Sequence, residues 1–308
     1  MPPSSESTPS NQKPYKWLHH ELATSDPYKD YAKIWRLPIE YTAGGNLMQN
    51  LIYATTFSNF IATPWGSEAV RRGDGGKVIH AATSRSVHAI DKRHEHYAAL
   101  YPGHFAHTED FTYVLCFTAI SVHRLRTRLG LAGFSEKQKI AAHLFWREMG
   151  RLFFVEVPGK PLDEWIPMTS HPDAKFPSDW DSMVSFCQGI EDHGLQVTEK
   201  GHYIAEARFD QFAYRFFLRG LRGLGRALPV ALSLPQALRE HQIEPVNPVL
   251  VRVVLFVVES FIWFAEVFLP DPKEGDEGLD KGFPAVFAED HAGQAGACQF
   301  AVEGEKAE

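Results

Sequence analysis

Four histidines lie in one short stretch, residues 77–97, whose periodicity predicts a single helix. They are His80, His88, His94 and His96. Imidazole binds metal ions and haem iron strongly, and it also carries protons near neutral pH. At about 100° per residue, His94 shares the apolar face with Ile90 and Tyr97, whereas His88 projects toward the opposite side. This segment is therefore the candidate functional site. The alternative interpretation is that its histidines are ordinary hydrogen-bonded or solvated side chains.

Other common sites leave no matching pattern in this sequence. We find no HExxH, GxSxG or P-loop motif, and no GxGxxG after a predicted strand. The pair His94 and His96 does not favour zinc, because alternate residues of a helix face different directions. The pair His104 and His107 adds no zinc signature. A helical bundle can enclose a flat apolar cofactor such as haem, held by one axial imidazole.

Composition limits the partners and the compartment. The chain has 308 residues and a net charge of -7, which argues against a nucleic-acid partner. Its three cysteines are Cys116, Cys187 and Cys298. They are widely spaced and odd in number, so a disulfide framework is not expected and a reducing, cytoplasmic location is predicted.

The pattern of apolar residues predicts an all-α fold, a single multi-helix bundle. A haem pocket enclosed by this bundle is one of several possibilities that the residues alone allow. We predict a disordered tail over residues 1–14, a helical domain over 15–270, and an acidic, disordered tail over 271–308. Thr108 is the predicted N-cap of one helix, and Ser135 with Gln138 forms a predicted capping box for the next. The helices are predicted over residues 46–63, 77–97, 108–130, 135–157, 178–190, 202–228, 234–241 and 248–269.

Two segments leave alternatives open. The proline-rich stretch 158–177 is either a lid or an irregular surface connection. Residues 249–269 are strongly apolar but carry Arg252, Glu259 and Glu266 at a spacing of seven, a stripe that favours a core-packed helix. We therefore expect no integral membrane anchor, and a weak peripheral membrane contact stays open. The N-terminal stretch has no apolar run, so neither a signal nor an anchor is expected there.

The block from His107 to Phe153 resembles the central part of the oxygenase family that includes the mycophenolic-acid-pathway oxygenase MpaB and the latex-clearing rubber oxygenases. In that family an acidic residue opens an apolar helix, a basic stretch with Leu-Gly closes it, and a W-R-x-x-G-like pattern follows. The matching residues here are Glu109, Asp110, Arg128, Leu129, Gly130, Trp146, Arg147 and Gly150. The resemblance extends more loosely over residues 46–270.

This resemblance implies an all-α protein with a b-type haem, whose iron is held by a histidine on the helix before the acidic start. Arg85 and His88 fit the Arg-x-x-His version of the family pattern, and His94 with Tyr97 fits the His-x-x-Tyr version. Either histidine is therefore a candidate iron ligand. Arg85 is a candidate partner for a haem propionate, since guanidinium matches carboxylate geometry.

Rubber oxygenases also place an Arg-x-x-x-Thr pair on an earlier helix near the distal side of the haem. Thr55 and Thr56 match the threonine of this pair. Four residues earlier, where the arginine of the pair would stand, the sequence has Leu51 and Ile52. The resemblance implies an oxygenase that uses O2 on a small to medium apolar substrate, isoprenoid-like or another secondary metabolite, with oxidative C=C cleavage as one candidate reaction. A non-catalytic haem- or lipophile-binding protein of the same fold is the main alternative. A peripheral membrane or scaffold protein is the other.

Overall fold

A computed structural model describes residues 15–41, 45–60, 84–193 and 195–271. Within these ranges the chain forms eleven α-helices and two paired two-residue strands, so the all-α prediction is confirmed. The strands are β1, Phe154–Val155, and β2, Ile166–Pro167. The helices are α1 Trp17–Thr24, α2 Tyr31–Glu40, α3 Gly45–Phe60, α4 Ser84–Ala98, α5 Thr108–Arg128, α6 Glu136–Gly150, α7 Trp180–His193, α8 Glu199–Phe216, α9 Arg222–Leu232, α10 Pro235–Glu240 and α11 Pro248–Phe268.

Helix α5 is the centre of the packing. Its residues Cys116, Ala119 and Ile120 are fully buried, and it contributes to three separate apolar clusters. One cluster joins it to α2, α6 and α7, and a second joins its C-terminal end to α3, α8, α9 and α11. A third lies beneath the paired strands, around Leu115 and Met168. The helix that carries the family resemblance is thus the one that the others surround.

The ends of α5 and α6 follow from local sequence signals. The Ser135 hydroxyl accepts the backbone N–H of Gln138, and the Gln138 side chain accepts the N–H of Ser135, so the predicted capping box is confirmed. The predicted N-cap at Thr108 is wrong by one residue. His107 occupies that position without a side-chain cap, while Glu109 and Asp110 lie in the first turn, where carboxylates favour the helix dipole.

The predicted helix over residues 202–228 is two helices. Helix α8 ends at Phe216, Phe217 has extended backbone dihedrals, and a short 3-10 turn at Arg219–Leu221 leads into α9. The Phe217 ring then packs over Gly225, where a Cβ atom would lie 2.6 Å from a ring carbon. Burial of this aromatic ring between the two helices outweighs the continuous helical periodicity of the sequence.

Other predicted boundaries agree less closely with the helices. The histidine helix was expected over 77–97, and α4 covers residues 84–98, with 77–83 outside the described residues. The predicted tails, 1–14 and nearly all of 271–308, also lie outside them. The stretch 158–177 contains β2 and two short 3-10 turns, Leu162–Glu164 and Met168–Ser170.

Two glycines of α9 give a matched test of the α8–α9 packing. We expect Gly225→Ala to lower the free energy of unfolding by about 1–3 kcal/mol, because the new methyl group meets Phe217 and the backbone of Ala213. Gly223 has open space around it, so Gly223→Ala should be neutral or stabilise by up to about 1 kcal/mol through helix propensity. Urea denaturation of both variants measures this, and equal effects would contradict the described packing.

Candidate functional site

The described half of the histidine helix contains a buried acid beside an imidazole. Asp91 is completely buried, and its Oδ1 lies 3.9 Å from Nδ1 of His94, one turn later on α4. The His94 ring stacks on Phe105 with centroids 4.7 Å apart, and the edge of Phe111 approaches it at 5.6 Å. The imidazole is therefore held between two aromatic rings, with one nitrogen facing a carboxylate.

Neighbouring elements fix the position of this pair. Glu156, at the end of β1, accepts the backbone N–H groups of Gly103 and Phe105 at 2.7 and 2.9 Å, which holds the turn that carries Phe105. Glu95 of α4 accepts the N–H of Leu162 at 2.7 Å, which fastens α4 to the loop after β1. Two carboxylates that satisfy backbone donors thus set the geometry around His94.

The pair itself has no comparable partners. Within the described residues, the two carboxylate oxygens of Asp91 make no regular hydrogen bond. Nδ1 of His94 makes none either. Burial raises the pKa of the Asp91 carboxyl to about 7, and a weak interaction with the Phe154 backbone N–H opposes the shift only in part. Burial also lowers the pKa of His94 to about 4. The pair therefore favours a neutral imidazole next to a carboxyl that holds its proton up to near pH 7.

His94 is not completely enclosed. About 23% of its side chain is exposed, although Nδ1 is buried. The ring thus turns Nδ1 toward Asp91, while part of the side chain reaches the surface. A neutral imidazole arranged in this way has a nitrogen lone pair available for a metal ion or for proton transfer.

His88 and Arg85 lie on the same helix, but their side chains are outside the described residues. Both histidines therefore stay candidate ligands. Asp91 could not be predicted as a site residue from the sequence, because one acidic residue in a charged helix resembles a solvated side chain.

Thr55 and Thr56 lie elsewhere. On α3, both hydroxyls donate to the carbonyl of Ile52, at 2.8 Å each. The two threonines line a small cavity of about 30 Å³ together with Arg124 and Arg128 of α5. Two basic side chains of α5 therefore lie beside these threonines, a proximity that spacing along α3 does not reveal.

An open cleft of about 370 Å³ adjoins this cavity and shares both arginines. Arg124 pairs with the buried Glu191 at 2.5 Å, and Tyr113 donates to the same carboxylate at 3.4 Å. Arg128 donates to the carbonyls of Leu232 and Ser233 at the end of α9. Burial and the neighbouring Arg124 lower the pKa of Arg128. Both arginines therefore have structural partners, and the cleft has a cationic wall.

The two regions are separated along α5. Phe111, which contacts His94, and Arg124 are 13 residues apart, which corresponds to about 20 Å of helix. Neither the small cavity nor the open cleft is lined by His94. Over the ranges that the structure describes there is also no group of three or more His, Cys, Asp or Glu side chains that would hold a metal ion.

Comparison with known proteins adds no family to this picture. No protein-family model matches the chain, and no curated protein matches it.

The buried pair predicts a pH dependence of stability that differs between two single variants of the protein without added haem. In Asp91→Asn, His94 has a lowered folded-state pKa, so the unfolded chain binds more protons between about pH 4 and 6.5. The free energy of unfolding should then rise with pH in this range by up to about 3 kcal/mol. In His94→Gln, Asp91 holds its proton longer in the folded state, and stability should fall between about pH 4 and 7.

In the wild type the two effects oppose each other, so its stability should change little with pH over this range. Urea denaturation at a series of pH values measures all three profiles. Parallel profiles in the three proteins would show that the two groups do not titrate as their burial predicts.

Proposed function

We propose that this protein is a haem-b-dependent oxygenase that acts with O2 on a small to medium apolar substrate, isoprenoid-like or another secondary metabolite. Oxidative C=C cleavage is the candidate reaction. The observation that supports this most is the buried Asp91 carboxyl facing Nδ1 of His94. Histidines that bind a metal through one nitrogen usually donate their other N–H to a carboxylate or carbonyl, which fixes the tautomer and the ring direction.

The donor set on α4 fits the axial position of haem iron. One neutral imidazole is sufficient for this role, and burial keeps His94 neutral at physiological pH. Phe105 and Phe111 shield the ring from water on two sides. His88, on the same helix, stays the other candidate ligand.

Each residue then has a distinct role. His94 or His88 would hold the iron, Asp91 would orient the imidazole through Nδ1, and Arg85 would pair with a propionate. Bound haem would supply the activation of O2, while the protein provides the position and dryness of the site. The apolar lining of a helical bundle suits an apolar substrate.

Two observations favour a non-catalytic haem- or lipophile-binding protein of the same fold. In the family that the sequence resembles, an arginine commonly stands five residues before the ligand, but Thr83 precedes His88 and Ala89 precedes His94 at that distance. The cavity beside Thr55 and Thr56, about 30 Å³, is also too small for a substrate. Oxygen consumption by haem-loaded protein with a reductant and a panel of isoprenoids separates the two functions, because only the oxygenase consumes O2 in a substrate-dependent manner.

Three histidine variants of α4 test the iron ligand. We expect either His94→Ala or His88→Ala to abolish haem retention, because one imidazole holds the iron. His96→Ala is the matched control, since this exposed histidine lies on the same helix and should leave the Soret band unchanged. Absorbance spectra of the purified proteins after addition of hemin give the result.

Asp91→Asn tests the orienting carboxyl separately. It should weaken haem binding by about 10- to 100-fold while the Soret band is retained at high hemin concentration. Hemin titration measures this change. If haem binding is unchanged in His94→Ala, in His88→Ala and in Asp91→Asn, the proposal that α4 holds the iron is wrong.

A further inference from the structure

Helix α11 has an unusual distribution of apolar residues. It is long and apolar enough to cross a membrane by length and composition, yet only 17% of its apolar window is buried. Among the largest exposed side chains, Phe256 is 69% exposed, Val257 58% and Phe264 50%. An exposed apolar surface of this kind marks an interaction site on a folded protein.

The exposed apolar residues form one continuous face. At 100° per residue these nine residues fall within an arc of about 160°. They are Val249, Val253, Phe256, Val257, Phe261, Trp263, Phe264, Val267 and Phe268. We call this the α11 face. The buried residues Val254, Ile262 and Ala265 form the narrow stripe that packs on the body of the protein.

The charged residues of α11 border this face instead of covering it. Arg126 of α5 donates to both carboxylate oxygens of Glu266, at 2.5 and 3.1 Å. The Glu259 carboxylate lies against Gly130, where a Cβ atom would be 3.1 Å from its Oε1. Two members of the charged stripe, Glu259 and Glu266, thus turn toward α5 and Gly130, and the apolar side chains are left outside.

A cationic turn lies beside the same helix. Residues 214–222, which we call the arginine turn, carry Arg215, Arg219 and Arg222, and expose Tyr214 and Leu218 by 69% and 78%. Although the protein has a net charge of -7, residues 211–239 contain five arginines and no acidic residue. The turn is linked to α11 because Phe217 and Leu250 belong to the same apolar cluster, and α9 packs on α11.

We propose that the α11 face and the arginine turn together bind the surface of an anionic phospholipid membrane, with α11 lying in the plane of the interface. Apolar side chains enter the boundary between headgroups and acyl chains, and arginines attract anionic headgroups. Aromatic residues such as Trp263 and Phe264 suit that boundary. A second copy of the chain accounts for the apolar face alone, whereas an anionic membrane also accounts for the arginines beside it. The proposal does not depend on haem.

Cosedimentation of the full chain with vesicles tests the proposal. The protein should bind vesicles of phosphatidylcholine mixed with phosphatidylserine more strongly than vesicles of phosphatidylcholine alone. Raising the salt to about 1 M should remove this difference, because the Debye length falls to about 3 Å. A protein that stays in the supernatant with both vesicles overturns the proposal.

Two pairs of variants identify the surface. Phe256→Gln with Phe264→Gln should weaken binding to both vesicles by about tenfold or more, because two apolar side chains no longer insert. The matched control is Tyr28→Gln with Leu100→Gln, which alters exposed apolar residues outside α11 and should leave binding unchanged. Far-UV circular dichroism and thermal melting verify that each variant is folded.

Arg215→Gln with Arg219→Gln should remove the preference for phosphatidylserine while binding to phosphatidylcholine remains. Lys29→Gln with Lys92→Gln, at exposed positions outside the turn, is the charge control. Equal loss in variant and control would show that net charge alone governs binding and would overturn the assignment. Sedimentation velocity measures whether the protein is a dimer. A dimer that is lost in the phenylalanine variant, together with no binding to vesicles, would overturn the proposal and assign the α11 face to a second copy of the chain.

Discussion

Burial of α5 on nearly all sides is the constraint on which the other helices depend. Cys116, Ala119 and Ile120 leave no room for water, so α2, α3, α6, α7 and α9 must pack around this helix. The polar groups of α5 then need partners inside the protein, because an unpaired buried charge costs several kcal/mol. Glu191 provides one for Arg124, and the end of α9 provides one for Arg128. The structure thus places its cationic groups where α5 ends.

The start of α5 has a different electrostatic character. There the chain satisfies backbone donors with Glu95 and Glu156 but leaves Asp91 and His94 without regular partners in the described part of the chain. Burial of two such groups is unfavourable, and it is tolerated because a protonated carboxyl and a neutral imidazole carry no net charge. Such a pair is more often found at functional sites than in a core that serves packing alone. The proposed haem ligand follows from this electrostatic arrangement.

Sequence reasoning predicted the elements with strong local signals. The all-α class, the capping box at Ser135 and the central helix after the histidines follow from periodicity and capping chemistry. The break at Phe217 was not predictable, because it depends on the contact of an aromatic ring with Gly225 on another helix. The role of Asp91 and the position of Arg124 beside Thr55 likewise arise from tertiary contacts. The charged stripe in the sequence of α11 favours a helix packed in the core, but the apolar residues of this helix face outward.

Stoichiometric haem content of the wild-type protein tests the central claim most directly. The protein is expressed with a haem precursor and purified, and its absorbance spectrum is combined with a pyridine haemochrome assay. The account predicts a Soret band and about one haem per chain, as expected for a single axial site. A colourless protein that takes up no added hemin would contradict the haem mechanism and leave a helical binding protein as the description of this chain.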